Sequence, residues 1–164
     1  MSPEINENLP EVLKNVRVRP LFRLREQVPP LYVVGQTPNA YRRIGAITGG
    51  SFQGERLTGE VVSGGNDWQD VRKDGSTKLD VRLLLKTTDD ALIVMTYQVL
   101  RHGSPSVMQA LDRGETVDPA SYYFRLSGLF ETSSATFDWL NRVIAVGIGD
   151  RHTDGPVYSI FEVL

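Results

Sequence analysis

Two groups of charged residues in the middle of the chain have the types and spacing that acid–base chemistry requires. In the stretch Gly64–Gln69, the carboxylate Asp67 follows a pair of glycines and precedes the large aromatic Trp68. Asp80 and Arg82 then alternate with apolar residues, which is the period of a β-strand with both charges on one face. A carboxylate held in a cleft can transfer protons, and a guanidinium can hold an anion through paired hydrogen bonds. We therefore expect Asp67, Asp80 and Arg82 to be catalytic.

Aromatic residues elsewhere in the chain are candidates for the walls of a binding site. In a run of three aromatic residues, period-2 alternation puts Tyr123 and Arg125 on one face, where they could hold a carboxylated ring. Tyr97 lies in the strand expected to pair with the Asp80 strand. The expected substrate-binding residues are Trp68, Tyr97, Tyr123, Arg125 and Trp139.

These residues also have purely structural explanations. Asp80 and Arg82 could form cross-strand ion pairs on a solvated outer face. Asp67 could cap backbone amides in a turn while Trp68 closes one end of the fold. The two explanations differ in whether the charged side chains meet in one pocket, and the sequence leaves both open.

The composition argues against several other classes of protein. The 164 residues carry a net charge of −2, so neither nucleic acid nor an anionic membrane is an expected partner. Without cysteine there is no disulfide, thiolate metal site or cysteine nucleophile, and His102 and His152 are far apart. We therefore expect no metal and no other cofactor. No apolar run reaches transmembrane length and the first residues do not resemble a signal peptide, so a cytoplasmic protein is expected.

The elements that would position these residues are mostly short strands. The candidate strands are residues 21–28, 40–48, 56–63, 77–87, 91–101, 122–127, 143–149 and 157–164. Pro29-Pro30 would end the first of them, and Gly49-Gly50 would turn the chain.

Helix signals occur at two places. A helix over residues 105–113 would have Ser104 as its N-cap, Pro105 at its first position and Gly114 at its end. A second, shorter helix is expected over residues 136–141, capped by Ser133 or Ser134.

Glycines inside the strands favour a curved sheet. Gly45, Gly59, Gly147 and Gly149 would weaken their strands unless the sheet bends or another backbone comes close. Repeated bends favour a small closed sheet. We expect a mainly β protein, with one antiparallel β-barrel over residues 21–164, one or two short helices, and an N-terminal extension over residues 1–20.

A set of motifs, taken together and in this order, resembles one family of bacterial and fungal proteins. The motifs are Gly49-Gly-Ser-Phe-Gln-Gly54, Leu57-Thr-Gly59, Gly64-Gly-Asn-Asp-Trp68, Asp74-Gly75, Leu79-Asp-Val-Arg82, Tyr122-Tyr-Phe-Arg125, Phe130-Glu-Thr132, Trp139-Leu-Asn141 and Val157-Tyr-Ser-Ile-Phe-Glu-Val163. The family is known as domain of unknown function three-two-three-seven, and the resemblance covers almost the whole chain. The chain departs from the usual family pattern at Asp89-Asp90-Ala91, where an Asp-Gly turn is common.

The resemblance implies a calycin-like barrel similar to those of allene oxide cyclase and dirigent proteins. It also implies an activity, because one member looks like a para-hydroxylaminobenzoate lyase of nitroaromatic breakdown. That reaction yields protocatechuate and ammonia without an added cofactor. On this resemblance Asp67 or Asp80 would transfer protons, and Arg82 or Arg125 would anchor the carboxylate of a small aromatic acid.

Three hypotheses about function follow. The first is a cofactor-independent lyase acting on a hydroxylamino-aromatic acid. The second is a non-catalytic barrel that binds a small ligand, and the third is a structural protein whose polar face is an oligomer interface. Because barrels with exposed edges often associate, a homo-oligomer, either dimer or trimer, is expected.

Overall fold

Alternating apolar and polar residues form ten β-strands, and one α-helix accompanies them, within residues 8–164. A computed structural model describes residues 8–164. The strands are β1 (Val18–Gln27), β2 (Tyr32–Gln36), β3 (Tyr41–Ile47), β4 (Gly49–Gln53), β5 (Thr58–Val71), β6 (Thr77–Thr87), β7 (Leu92–His102), β8 (Tyr123–Glu131), β9 (Ala145–His152) and β10 (Gly155–Val163). The α-helix is α1 (Pro105–Asp112), and the 3₁₀-helices are Glu11–Leu13, Pro119–Ser121 and Asp138–Arg142. β1 thus begins at Val18, within residues 1–20, which the sequence analysis assigned to an extension.

The strands close into an antiparallel barrel, as the sequence predicted. The order around the sheet is β2-β3-β5-β4-β1-β10-β9-β8-β7-β6, and a further pairing of β5 with β6 completes the ring. β3 and β4 follow one another along the same edge of β5, and β1 and β2 follow one another along β4 and β3. Each of these two pairs therefore takes the place of a single strand in the wall. The ten strands thus form a closed eight-stranded barrel.

Side-chain alternation decides which face of each strand points inward. In β6 and β7 every second residue is buried and most of these are apolar, with Leu79, Val81, Met95 and Val99 all at 2% exposure or less. Because a strand projects successive side chains to opposite faces, the residues between them lie on the outer wall. The barrel interior is consequently an apolar core along most of its length.

Helix α1 has the ends that the sequence predicted. The Ser104 hydroxyl accepts a hydrogen bond from the Val107 amide at 3.3 Å, and Pro105 occupies the first turn. Gly114 follows the helix with a φ of 77°, a left-handed conformation that favours glycine. The helix therefore ends at a fixed point beside the barrel.

The segment between β8 and β9 covers one end of the barrel. Its Phe137 and Leu140 are buried in the core, while Arg56 stacks on Trp139 with 4.4 Å from guanidinium to ring centroid. The 3₁₀-helix here is Asp138–Arg142, which begins two residues and ends one residue later than predicted, and it has no side-chain cap from Ser133 or Ser134. The opposite end of the barrel lies beside α1 and the connection between β1 and β2.

Two glycine pairs do not end strands, contrary to the prediction. Gly49-Gly50 opens β4, and a Cβ on Gly50 would lie 2.0 Å from the Arg25 carbonyl oxygen, so glycine permits close approach to β1. Gly64-Gly65 lies inside β5, where the pairing with β6 shifts register and Gly64 has a φ of 116°. Glycine at such a bulge bends a strand without ending it.

Strand β2 was not predicted at all. It follows Pro29-Pro30, pairs with β3 alone, and has a register shift between Val33 and Gly35.

None of the helices within residues 8–164 is long and apolar enough to cross a membrane.

Candidate functional site

Polar residues replace apolar ones where several strands reach the barrel end beside α1. In β1 the buried alternation of Leu24 continues to Glu26, and in β7 that of Val99 continues to Arg101. In β5 the inward positions are Asp67 and Gln69. The same alternation that builds the core thus turns charged side chains into the barrel at this end.

These strand ends surround a cavity of about 370 Å³. Its polar lining includes Arg43, Asp67, Gln69, Arg101 and Arg151, with Asp112 and Arg113 at the end of α1. Its apolar lining includes Pro29, Pro30, Leu31, Leu79 and Phe124. A concave site with apolar walls and a few convergent polar groups is the usual form of a small-molecule site.

Asp67 is the cavity carboxyl best suited to proton transfer. It is 6% exposed, and its Oδ2 accepts a hydrogen bond from the Gln69 amide at 2.8 Å. Its Oδ1 has no hydrogen-bond partner in the described part of the chain. Burial raises the pKa of Asp67, while the Gln69 hydrogen bond and the charges of the arginines lower it, and the net shift is upward. The pKa of Asp67 is therefore higher than that of an exposed aspartate.

Arg101 is a fully buried cation within this site. It is 2% exposed and lies over the Phe124 ring at 5.3 Å, and its Nε has no hydrogen-bond partner within residues 8–164. Burial, followed by the nearby charges of Arg151 and Arg43, lowers the pKa of Arg101 to about 10, although the charge of Asp67 raises it. Arg101 therefore stays charged at neutral pH without an ion-pair partner, which is costly for a buried group.

Arg43 and Arg151 complete a group of three guanidiniums. Arg43 forms a salt bridge to Asp112 of α1 at 3.1 Å, but its Nε is buried and unpaired among the described residues. Arg151 donates to the His152 carbonyl at 3.0 Å. None of the three forms a salt bridge with Asp67 across the part of the chain that is described, although their charges act on it. Asp67 and all three arginines line the cavity.

A second buried carboxyl lies in the barrel interior near the cavity. Glu26 is 2% exposed and accepts a short hydrogen bond from the Tyr97 hydroxyl. Tyr158 packs edge-on against Tyr97, with ring centroids 5.7 Å apart. Burial raises the pKa of Glu26 to about 8, the Tyr97 hydrogen bond lowers it, and the charge of Asp67 raises it. Tyr97, predicted to be a wall of the binding site, is instead a buried partner of Glu26.

The predicted catalytic pair Asp80 and Arg82 lies outside the barrel. Both side chains are exposed, and the apolar residues that alternate with them, Val81 and Leu83, are 1% and 3% exposed. The prediction that they share an inner pocket with Asp67 is therefore wrong in location. The inward face of β6 is the apolar one because the core occupies the barrel at that height.

Three predicted wall residues also face outward. Trp68 is 47% exposed with Arg42 over its ring at 5.6 Å, since it neighbours the inward Asp67 on the same strand. Tyr123 and Arg125 share a face, as predicted, but it is the outer one, where Tyr123 stacks on His102.

Trp139 also lies away from the cavity, at the covered end of the barrel. Of the predicted site residues, the structure places Asp67 in the cavity and Tyr97 in the interior close to it.

Five residues near the cavity were missed by the sequence analysis: Glu26, Arg43, Gln69, Arg101 and Arg151. For two of them a signal was present, because Arg101 and Glu26 extend an apolar alternation at its end. A charged residue in phase with buried neighbours marks an inward polar position. No group of three or more His, Asp or Glu side chains suited to a metal occurs within residues 8–164.

The sequence of the chain matches a family model over residues 16–163, and the family is described as Protein of unknown function (DUF3237). The chain belongs to this family. A relative, a UPF0311 protein of Rhodopseudomonas palustris, is 31% identical over 144 residues, which is 88% of this chain and 94% of the relative.

Solved structures of similar proteins have the same fold. The crystal structure of a conserved protein of unknown function from R. palustris aligns with a TM-score of 0.89 at 30% identity, covering 92% of this chain and 99% of that one. A beta-barrel like protein from Acinetobacter baumannii aligns with a TM-score of 0.80 at 36% identity, covering 96% and 99%.

A more distant relative of this DUF3237 member is an enzyme. A hydroalkoxylation enzyme of Penicillium herquei is 27% identical over 127 residues, which is 77% of this chain and 70% of the enzyme. The relatives of this chain therefore include a protein named as an enzyme.

Proposed function

We propose that this protein is a cofactor-independent lyase that acts on a small aromatic acid, with para-hydroxylaminobenzoate as the first substrate to test. Asp67 would transfer the proton, and Arg101 and Arg151 would hold the carboxylate. Arg43, the third arginine of the cavity, would close the site through its salt bridge to Asp112.

One observation carries this proposal. Among the described residues that line the cavity, Asp67 Oδ1 and the Nε atoms of Arg43 and Arg101 are buried without a hydrogen-bond partner. A buried polar atom without a partner is costly, so such atoms at a cavity indicate that a ligand completes them. A ligand with a carboxylate for the arginines and a hydrogen-bonding group for Asp67 fits this arrangement.

The size and walls of the cavity support a ring-containing substrate. A volume of about 370 Å³ is in the range of sites for small organic ligands. Phe124 and Leu79 supply apolar surface beside Arg101. The distant relative named as a hydroalkoxylation enzyme supports catalysis of the lyase type, because hydroalkoxylation adds an alcohol across a double bond by proton transfer without redox change.

Proton transfer by Asp67 would suit the proposed reaction at two steps. As an acid it would protonate the N–OH oxygen, which leaves as water when the N–O bond breaks. As a carboxylate it would then remove a proton from the water that adds to the ring, before the C–N bond is hydrolysed and ammonia leaves. The overall conversion consumes one water and needs no external oxidant, since the broken N–O bond balances the new ring C–O bond. A raised pKa at Asp67 favours both roles near neutral pH.

The test is incubation of the purified protein with para-hydroxylaminobenzoate, following protocatechuate and ammonia by chromatography. Asp67→Asn keeps the shape of the side chain and removes its proton, so we expect turnover to fall by about 10²- to 10⁴-fold. Asp80→Asn is the matched control, because Asp80 is an exposed carboxylate on the neighbouring strand.

The outcomes separate the hypotheses. Turnover that is lost in Asp67→Asn and kept in Asp80→Asn supports the proposal. Binding of the aromatic acid by calorimetry without product would leave the non-catalytic ligand-binding barrel. Equal loss in both variants would contradict the assignment of Asp67.

A further inference from the structure

Gln69 is a buried cavity residue whose amide oxygen has no hydrogen-bond partner. The side chain is 2% exposed and lines the cavity together with Asp67, which precedes it by two residues on the inward face of β5. Its Nε2 donates to Asp67 Oδ2 at 2.8 Å, whereas its Oε1 accepts no hydrogen bond from any group within residues 8–164. An amide oxygen accepts hydrogen bonds at any pH, so it needs an N–H or O–H group from a molecule in the cavity whatever the ionisation of Asp67.

The unpaired donors of the same cavity do not supply this group. Arg43 Nε and Arg101 Nε are also buried without a hydrogen-bond partner among the described residues, although both side chains line the cavity with Gln69. If the polar groups of the cavity were arranged to satisfy one another, these N–H groups would donate to the Gln69 oxygen. Donors and acceptor instead stay apart, so a ligand that satisfies both must accept hydrogen bonds at one position and donate one at another.

From this arrangement we infer that Gln69 determines specificity, because its Oε1 accepts a hydrogen bond from an N–H group on the ring of the bound aromatic acid. The inference rests on the proposed function for the aromatic acid and for the carboxylate at the arginines. It adds the substituent that the ring must carry, a nitrogen with hydrogen, placed away from the carboxylate. In a hydroxylamino group the nitrogen and the oxygen are bonded neighbours, and Gln69 and Asp67 are hydrogen-bonded neighbours. Gln69 thus holds the N–H and leaves the N–OH oxygen at Asp67.

Para-substituted benzoates that lack the N–O bond of the proposed substrate, or lack its N–H, isolate this hydrogen bond. 4-Aminobenzoate carries N–H donors, and 4-methylbenzoate has a substituent of similar size without a donor. Apolar burial alone would favour the methyl compound, but we expect the wild-type protein to bind 4-aminobenzoate at least about fivefold more tightly, the value of one neutral hydrogen bond. 4-Nitrobenzoate should bind more weakly than either, because its substituent has acceptor oxygens alone. Isothermal titration calorimetry measures the three dissociation constants.

A variant of Gln69 assigns the preference to this residue. Gln69→Met removes the amide oxygen and keeps a side chain of similar length. The preference for 4-aminobenzoate should then disappear, while 4-methylbenzoate binds at least as tightly as to the wild type. A distorted cavity would weaken both acids, so retained binding of the methyl compound distinguishes recognition from a structural role. Gln98→Met, at an exposed position on the outer wall of β7, is the matched control and should keep the wild-type preference.

Three results would overturn the inference: equal wild-type affinities for the amino and methyl compounds, a preference that persists in Gln69→Met, or no binding of either acid. The first comparison needs no variant, so it decides the matter if Gln69→Met does not fold. A preference that depends on Gln69, in a protein that does not convert para-hydroxylaminobenzoate, would reject the proposed lyase and uphold the inference. Turnover of para-hydroxylaminobenzoate without such a preference would do the reverse.

Discussion

Glu26 is a buried carboxyl group whose ionised form gains little from nearby positive charges. It lies in the core with 2% exposure, and its hydrogen-bond donor is the Tyr97 hydroxyl. Burial raises its pKa from the ordinary 4.5 to about 8, so the folded protein holds a proton here that the unfolded chain releases. Between these two pH values the contribution of Glu26 to the free energy of unfolding falls as the pH rises.

We therefore predict that Glu26→Gln removes this pH dependence. Glutamine is neutral at every pH and its Oε1 can still accept the Tyr97 hydrogen bond. In the wild type, the free energy of unfolding should decline by several kcal/mol between pH 4.5 and pH 8 through this one group. The measurement is denaturant unfolding of both proteins across this range. Equal slopes in wild type and variant would show that Glu26 keeps its ordinary pKa.

The charge of Asp67 sets a second expectation for Glu26. Because the Asp67 carboxylate raises the pKa of Glu26, Asp67→Asn should lower that pKa. The free energy of unfolding of Asp67→Asn should therefore decline less between pH 4.5 and pH 8 than that of the wild type, as measured by denaturant unfolding. An equal decline in both proteins would contradict this coupling.

At the level of single residues, the sequence predicted the catalytic candidate but not its surroundings. Asp67 could be singled out from its position beside Trp68. Arg101 was passed over because an arginine at the end of a strand is usually a surface residue. Asp80 and Arg82 were predicted to be catalytic because they are two charged residues on the same face of a strand. That face is the outer one, because Val81 between them is buried.

Among the elements, glycines on β8 and β9 make room for large inward side chains on neighbouring strands. A Cβ on Gly149 would lie 2.7–2.8 Å from the Phe124 ring, and one on Gly128 would lie 2.8 Å from the Tyr97 Cβ. Phe124 lies between Arg101 and Tyr158 in the packed interior. These glycines let the barrel hold its aromatic residues directly below the cavity.

We predict that Gly149→Ala destabilises the protein by about 1–3 kcal/mol, the usual cost of overpacking a core. Phe124 cannot move aside freely, because it is 1% exposed and packed against other rings. Gly49→Ala is the control, since its Cβ would meet only the end of the flexible Gln27 side chain. Denaturant unfolding of both variants is the measurement. Equal stability of the two would contradict the packing argument.

The strands with regular alternation were predicted well, and the irregular ones were not. β6, β7 and α1 could be located to within about a residue, because period and capping signals agree there. β2 follows two prolines, and β5 runs through a glycine pair, so local signals indicated breaks. Pairing with neighbouring strands overrides such signals. Which strands pair depends on residues far apart in the chain, so a short stretch of sequence does not show it.

At the scale of the whole molecule, the outer wall of β7–β9 exposes a surface with apolar residues. Leu129, Ile144 and Ile148 are 60%, 55% and 47% exposed. On β8, Arg125 and Glu131 lie at equal distances in sequence on either side of Gly128. Two copies related by a two-fold axis near Gly128 would bring each arginine towards the glutamate of the other copy.

We predict a homodimer through this wall, which refines the sequence-based expectation of a dimer or trimer. Arg125→Glu alone should weaken association, because it places like charges together across the axis. Combining it with Glu131→Arg should restore association. Sedimentation equilibrium of the wild type and the two variants is the measurement. A monomeric wild type, or a double variant as weak as the single one, would contradict the prediction.

The covered end of the barrel also has a consequence for kinetics. Phe137 and Leu140 fill the interior at that end, so within residues 8–164 the cavity communicates with solvent beside α1. A molecule formed inside must leave along the path by which its precursor arrived. Substrate and product would then compete for one passage, and a product that retains its carboxylate would act as a competitive inhibitor of the next turnover.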